Sequence, residues 1–151
     1  MGCEMVEARL LDALYLAALA VGWLASIGGF IEFRRSLLGG GFVCKAEAKG
    51  WINCRSAYVI PQAFIAGRIH LSELAPIYFT AILATAVLGV LMDIDLLAKL
   101  SYLLAAGGAA SVPYLVYLEV RVAKAICLWC TIMHLSLILA VASAAAKMLG
   151  G

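Results

Sequence analysis

Four stretches of the chain are apolar almost without interruption. They run from about Leu10 to Phe33, Leu74 to Met92, Leu96 to Leu118 and Ala125 to Met148. Each comes close to the roughly 20 residues that a helix needs to cross the hydrocarbon layer of a bilayer. Asp12 and Glu32 sit near the ends of the first stretch, and the interiors carry almost no charge. Backbone groups in lipid must be hydrogen-bonded internally, so the pattern predicts helices and excludes an open sheet. A membrane barrel would need segments of about ten residues with alternating polarity, which the sequence lacks. The expected fold is all-α and integral to the membrane. It is a four-transmembrane-helix bundle in a single domain, residues 1–151, with helices over 10–33, 74–92, 96–118 and 125–148.

The polar connections are unequal. Asp93 and Asp95 mark a tight turn between the second and third helices, and Glu119 to Lys124 joins the third to the fourth. Residues 34–73 form one long connection. It begins with Gly39-Gly40-Gly41, expected to act as a hinge, and continues through Cys44 and Cys54. Residues 57–71 follow, too short and too polar to span. Their apolar members Tyr58, Val59, Ile60, Phe64 and Ile65 predict a lid or a short helix lying at the membrane interface. Small residues from Ala105 to Ser111, and Ser26, Gly28 and Gly29 in the first helix, predict close helix packing; a subsidiary reading is room for a flat ligand. Glu4 and Glu7 precede the first helix and no short cleavable segment follows, so that helix is expected to be retained rather than removed as a signal peptide.

Composition narrows the class. Hydrophobic residues make up 66% of the chain and charged residues 13%, against roughly 45–50% apolar in an ordinary soluble domain. Mean hydropathy is +1.05. A soluble domain of 151 residues could not hide that much apolar surface. A disordered chain, a nucleic-acid binder and a soluble multidomain enzyme are excluded. The net charge of +2 says little by itself, but its distribution is uneven. Arg34, Arg35, Lys45, Lys49, Arg55, Arg68, Arg121 and Lys124 fall at one end of the bundle; Arg9, Lys99 and Lys147 fall at the other. The positive-inside rule places the first group in the cytoplasm of a multi-pass plasma-membrane protein, an exterior-facing arrangement being the alternative.

The five cysteines sort by the same topology. Cys44, Cys54, Cys127 and Cys130 share the basic end; Cys3 lies at the other and reads as incidental. Cys127-Leu128-Trp129-Cys130 is a C-x-x-C at the start of the fourth helix, where the helix dipole and free N–H groups stabilise thiolates, with Arg121 and Lys124 expected to add to the effect. Cys44 and Cys54 lie on the hinged connection. A mobile thiol pair and a membrane pair on one face can exchange disulfides, which relaying electrons from water into lipid requires. Three plainer readings compete: a structural Cys44–Cys54 disulfide, half of a zinc site, and apolar packing of free cysteines. No second C-x-x-C or His cluster supports zinc, so no metal is expected.

This order, a loop pair between the first two helices and then a C-x-x-C opening the fourth, resembles the vitamin K epoxide reductase family in its compact prokaryotic form without a fused thioredoxin domain. The likeness covers about residues 14–145. It rests on Cys44…Gly50-Trp51-Ile52-Asn53-Cys54 and on Tyr114-x-x-Tyr117-x-Glu119 leading to Ile126-Cys127-Leu128-Trp129-Cys130-Thr131. Disulfide bond formation protein B, another four-helix thiol oxidase linked to quinones, is less similar because its two pairs come in the reverse order. The resemblance implies a bundle enclosing a quinone (menaquinone, ubiquinone or a relative). It also implies electron flow from a thioredoxin-like partner to Cys44 and Cys54, then to Cys127 and Cys130, then to the quinone. By position, Cys44 would meet the partner, Cys54 would exchange with Cys127, and Cys130 would lie beside the quinone ring. Where animal relatives carry a Tyr that hydrogen-bonds the quinone, this chain has His134, one helical turn after Cys130 and on the same face. His70, Ser72 and Glu73 are candidates for the opposite carbonyl. Where many relatives carry Ser or Thr six residues after the second loop cysteine, this chain has Ile60. Ser56 is the nearest hydroxyl and is kept as a quinone-binding candidate. Pro76 matches a proline common in prokaryotic relatives.

Three functions follow as expectations. The first is a quinone-dependent thiol oxidase that generates disulfides in a thioredoxin-like partner. The second is a quinone or vitamin K epoxide reductase using the same cysteines. The third is a non-enzymatic helical membrane subunit with structural disulfides. A cytoplasmic redox face would make the oxidase an inverted one, suited to cytosolic disulfides. Those are rare outside hyperthermophiles, and the chain's single Asn and single Gln agree weakly with such an origin.

Overall fold

A computed structural model describes residues 2–38, 56, 58–65 and 67–150, with side chains from residue 6 onward. The hinge glycines and both loop cysteines, Cys44 and Cys54, lie outside the described residues, as does the side chain of Cys3. Four long helices dominate: α1 (Gly2–Leu37), α2 (Leu71–Leu91), α3 (Asp95–Tyr117) and α4 (Leu128–Gly150). All four are long and apolar enough to cross a membrane. Between α1 and α2 the described segment contains a 3₁₀ turn (Pro61–Ala63) and two short antiparallel strands, β1 (Phe64–Ile65) and β2 (Ile69–His70). A π-helical turn (Leu118–Ala123) follows α3.

Helix ends depart from the hydropathy boundaries for local reasons. α2 starts at Leu71, before the expected Leu74, because His70 caps it. His70 Nδ1 accepts the Ser72 N–H at 3.0 Å, and the Glu73 carboxylate accepts the His70 N–H at 3.4 Å. These reciprocal bonds satisfy donors that a helix start leaves free. α1 runs on past Phe33 to Leu37, with Arg34 and Arg35 in its last turn, where cations complement the helix dipole. α4 starts later than expected, at Leu128, because the π turn ends at Lys124 in a left-handed conformation with φ 52°. Among the described residues from Val59 to His70, the lid alternative holds rather than a short helix. The 3₁₀ turn and the two strands occupy that position, with Pro61 opening the turn and Gly67 reversing the chain at φ +68°.

The helices close a ring. α1 packs on α4 and α2, and α3 completes the circle between those two. Contacts pair the start of α1 with the end of α4 and the end of α1 with the start of α2, so neighbours run antiparallel. The core holds Tyr15, Leu19, Phe79, Ile82, Ala86, Ala105, Val112, Leu137 and Ala140. The outer face carries exposed leucines and isoleucines, among them Leu24, Leu100, Leu135 and Ile138, as expected where the surroundings are lipid. At the end remote from Cys127, polar groups tie three helices together. Lys147 donates to Asp12 at 2.6 Å, and the Tyr15 hydroxyl donates to Ser101 at 3.1 Å.

Gly89 lets the α2–α3 turn close. A Cβ there would meet the Ala98 backbone nitrogen at 2.5 Å, whereas a Cβ at Gly107 would meet nothing within 4 Å. Backbone cannot step aside as a side chain can. We therefore expect Gly89→Ala to lose about 1–3 kcal/mol of stability, measured by reversible unfolding in detergent. Gly107→Ala should be neutral or stabilising by up to about 1 kcal/mol.

Candidate functional site

The C-x-x-C is positioned from both of its flanks. The Cys127 carbonyl accepts the Thr131 N–H at 2.9 Å, which places Cys127 at the N-cap position just before α4. Its own N–H donates to Glu119 Oε2 at 3.2 Å. Glu119 comes from the π turn, eight residues upstream, so the loop that delays α4 also supplies an acceptor for its first amide. On the other side, Trp129 lies flat against α1, where a Cβ on Gly28 would come within 2.6 Å of its ring. The close packing expected of Gly28 and Gly29 is therefore made against the C-x-x-C itself.

Cys127 is fully buried with Phe33 and Tyr58 around it, and both Cys127 and Cys130 are free thiols. The Cys127 thiol meets the Tyr58 hydroxyl at 3.7 Å, and that hydroxyl donates to the Gly29 carbonyl at 3.3 Å. The Cys127 thiol is held below the ordinary cysteine range. The largest cause is the hydrogen bond from the Cys130 thiol, which outweighs burial; the Cys130 N–H and the Tyr58 hydroxyl add to it. Arg121 and Lys124, expected to contribute, are exposed and take no part. Burial, and after it the Cys127 charge, pushes the Tyr58 hydroxyl far up, so it remains a donor.

Beside Cys130 lies a cavity of about 560 Å³, inside the range typical of small-molecule sites. Leu71, Leu74, Phe79, Leu103, Leu104, Leu115, Met133 and Leu137 make most of its wall, and the described lid residues Tyr58, Ile60 and Ala63 close one side. Its polar groups are few: Cys130, Glu119, His134, His70, Ser72 and Ser111, with Tyr58 and Tyr78. Three candidates read from sequence, His134, Ser72 and His70, therefore share one wall system with Cys130. Ser56 is not among the lining residues. Glu73 is not either; it caps α2 and pairs with Arg34 at 3.6 Å.

His70 is 3% exposed and stacks on Phe33 at 4.2 Å between centroids, with Tyr58 and Phe64 against its edges. Burial lowers its pKa, against the opposing pull of Glu73, so the ring is neutral near pH 7. Because Nδ1 accepts from Ser72, the proton of the neutral ring sits on Nε2. No hydrogen bond satisfies Nε2, although the Tyr58 carbonyl is close enough to favour a proton there. An orphaned donor in the wall of an apolar cavity costs free energy unless a ligand supplies an acceptor. A quinone headgroup, flat and apolar with carbonyl oxygens at opposite edges, fits that set of residues. Among the described residues no three His, Cys, Asp or Glu side chains gather as metal ligands would.

Two site residues were given no role from sequence. Tyr58 was read only as part of an apolar lid, and nothing in its neighbourhood marks it. Glu119 was noted in the Tyr114-x-x-Tyr117-x-Glu119 run and in the charged connection, but without a role in the site.

Residues 13–145 match the family model described as Vitamin K epoxide reductase family. No curated protein gives a significant match to the chain.

The Tyr58–Cys127 contact has a measurable consequence. A lowered thiol pKa means more thiolate at any pH below the ordinary cysteine value of about 8.5. Tyr58→Phe removes one of the lowering influences, so the pH profile for alkylation of Cys127 in the reduced protein should move upward. An unchanged profile would show that the hydroxyl does not act on the sulfur.

Proposed function

The chain belongs to the vitamin K epoxide reductase family, a family of helical membrane bundles with quinone or vitamin K epoxide reductase-type thiol redox function, and from that premise we propose that it is a quinone-dependent thiol oxidase. One observation carries the reading: a thiol of the C-x-x-C forms part of the wall of a ligand-sized apolar cavity that also holds the unsatisfied His70 Nε2–H. A bound quinone, menaquinone or ubiquinone or a relative, would supply a two-electron acceptor. His70 and Ser72 on α2, or at its start, and His134 on α4 would hold its polar edges. The leucines and Phe79 would exclude water.

The relay uses four thiols. A reduced thioredoxin-like partner attacks a Cys44–Cys54 disulfide and leaves oxidised. Cys54 thiolate then attacks Cys127 of a Cys127–Cys130 disulfide, releasing Cys130 as thiolate into the cavity wall. Cys44 resolves the Cys54–Cys127 bridge, and Cys127 leaves as thiolate. Its lowered pKa suits it to that leaving step. Each exchange breaks one S–S bond and forms one, and two electrons move inward. The eight-to-three split of Lys and Arg supports a plasma-membrane orientation with this face cytoplasmic.

Cys130→Ala should lose dithiol-dependent quinone reduction to the uncatalysed rate while keeping the helical circular dichroism of the parent. Retained activity would sink the relay. Removing the resolving thiol instead, with Cys44→Ala, should accumulate a Cys54–Cys127 mixed disulfide, read by mass spectrometry.

His70→Asn keeps a side chain that caps helices well and removes the Nε2 donor. It should weaken quinone binding about tenfold, the worth of one net hydrogen bond, read by tryptophan fluorescence quenching.

For orientation, an impermeant thiol reagent should label Cys44 only after cells are permeabilised. Labelling of intact cells would place the redox face outside.

A further inference from the structure

The two halves of the cavity differ in kind. At the cysteine end stand Cys130, His134, Ser72 and the unsatisfied Nε2–H of His70, a residue only 3% exposed. Within α3 the lining runs from Leu115 back to Leu103, about 18 Å at 1.5 Å per residue, which is longer than a fused pair of rings. In the half towards Leu103 the polar side chains are Tyr78 and Ser111, and both are already bonded. The Tyr78 hydroxyl donates to the Leu104 carbonyl at 2.5 Å, and the Ser111 hydroxyl donates to the Gly108 carbonyl at 2.7 Å. One half therefore holds a donor in want of an acceptor, and the other offers apolar surface. A ligand that fills both has a polar head and an apolar tail.

The way out of the cavity is also marked. Of the residues that line it, only Leu103, Gly107 and Ser111 are exposed. They stand four positions apart, on one face of α3 and in the middle of its span, so the cavity opens sideways towards lipid. Gly107 is the central residue of the three. A Cβ there would meet nothing within 4 Å, and among the described glycines only Gly67 has a positive φ. Neither packing nor backbone conformation calls for glycine at 107, and glycine is a poorer helix residue than alanine. What the missing side chain leaves is width in the opening.

We propose that Gly107 is a specificity-determining residue, whose missing side chain leaves the passage by which an apolar tail on the bound ring reaches the lipid. The proposal rests on the quinone-linked reading of the cavity and deepens it by naming the class of quinone: prenylated rather than bare. The ring is held at the cysteine end, and the tail passes Gly107 between Leu103 and Ser111, where each methylene withdrawn from water adds to affinity.

Gly107→Leu narrows the opening with a residue that favours the helix. The probes are menadione, a bare naphthoquinone, and the same ring carrying a prenyl tail. KM for the prenylated quinone should rise about tenfold, towards the low end of the cost of overfilling an apolar site, with kcat little changed. KM for menadione should stay that of the parent. A merely structural role would move both quinones together; that result, or an unchanged KM for both, overturns the proposal. If Gly107→Leu does not fold, Leu103→Trp narrows the same opening one helical turn away, and the same split between the two quinones decides. Equilibrium binding, read by tryptophan fluorescence quenching, separates this proposal from the oxidase reading. Should the wild-type chain reduce neither quinone but bind the prenylated one more tightly, and Gly107→Leu abolish that preference, the oxidase reading fails and the passage stands.

Discussion

Lipid offers no hydrogen bonds, and the placement of every polar group in this molecule follows from that. Backbone amides are satisfied inside four helices, and leucine and isoleucine face outward. Polar side chains that remain in the bundle must find partners within it. Mid-span, Trp23 donates to Thr80 at 2.9 Å, and the two ends carry further groups. One end is closed by the Lys147–Asp12 and Tyr15–Ser101 bonds. The other is organised around Cys127, Glu119, His70 and Tyr58, and there, among the described residues, two buried donors, His70 Nε2 and Trp129 Nε1, are left without a hydrogen bond. That asymmetry between a satisfied end and an unsatisfied one is what distinguishes a site from a structural cap.

The cavity exists because the ring of helices is packed unevenly. Glycines draw α1 against α4, where Gly22, Gly28 and Gly29 leave no room for a Cβ beside Ser136 or Trp129 without displacement or tight contact, and Gly22 is pressed by Phe79 of α2 as well. On the opposite side α2, α3 and α4 are held apart by longer side chains, and the lid from Tyr58 to Ala63 covers the gap. Gly107 has open space beside it and lines the cavity, while Gly108 is pressed by Tyr78. The run of small residues in α3 thus serves two ends: one glycine admits a neighbour and the next leaves a void.

Hydropathy was enough to place the four spans, because a bilayer demands long apolar helices whatever their neighbours are. The pairing of Cys130 with His134 was also legible, since a spacing of four residues puts both on one helix face. The helix ends were less so. The start of α2 depends on a local capping box between His70, Ser72 and Glu73 that hydropathy does not register, and the start of α4 on Glu119, eight residues from its partner. Ser56 and Glu73 show the limit of proximity in sequence. Both lie near the cavity-lining residues along the chain, yet Ser56 is not in the wall and Glu73 is committed to the α2 cap and Arg34. Tyr58 shows the reverse, a residue with no sequence mark whose role comes from a contact with Cys127, 69 positions away.

The π turn ties these points together. A regular helix continuing from α3 would carry Glu119 around with its own ladder and bring no carboxylate to the next helix start. Widening the turn ends it at a left-handed Lys124, whose N–H returns to the Glu119 carbonyl. The backbone carbonyl of Glu119 is thereby used to stop one helix, and its side chain to begin the next. Such wide turns cost helix regularity and recur where a side chain must be re-aimed. Here the re-aimed group is the acid that faces Cys127, Cys130 and His134 together. The geometry that fixes the C-x-x-C at the mouth of α4 therefore also brings a carboxyl group to the wall of the cavity beside it.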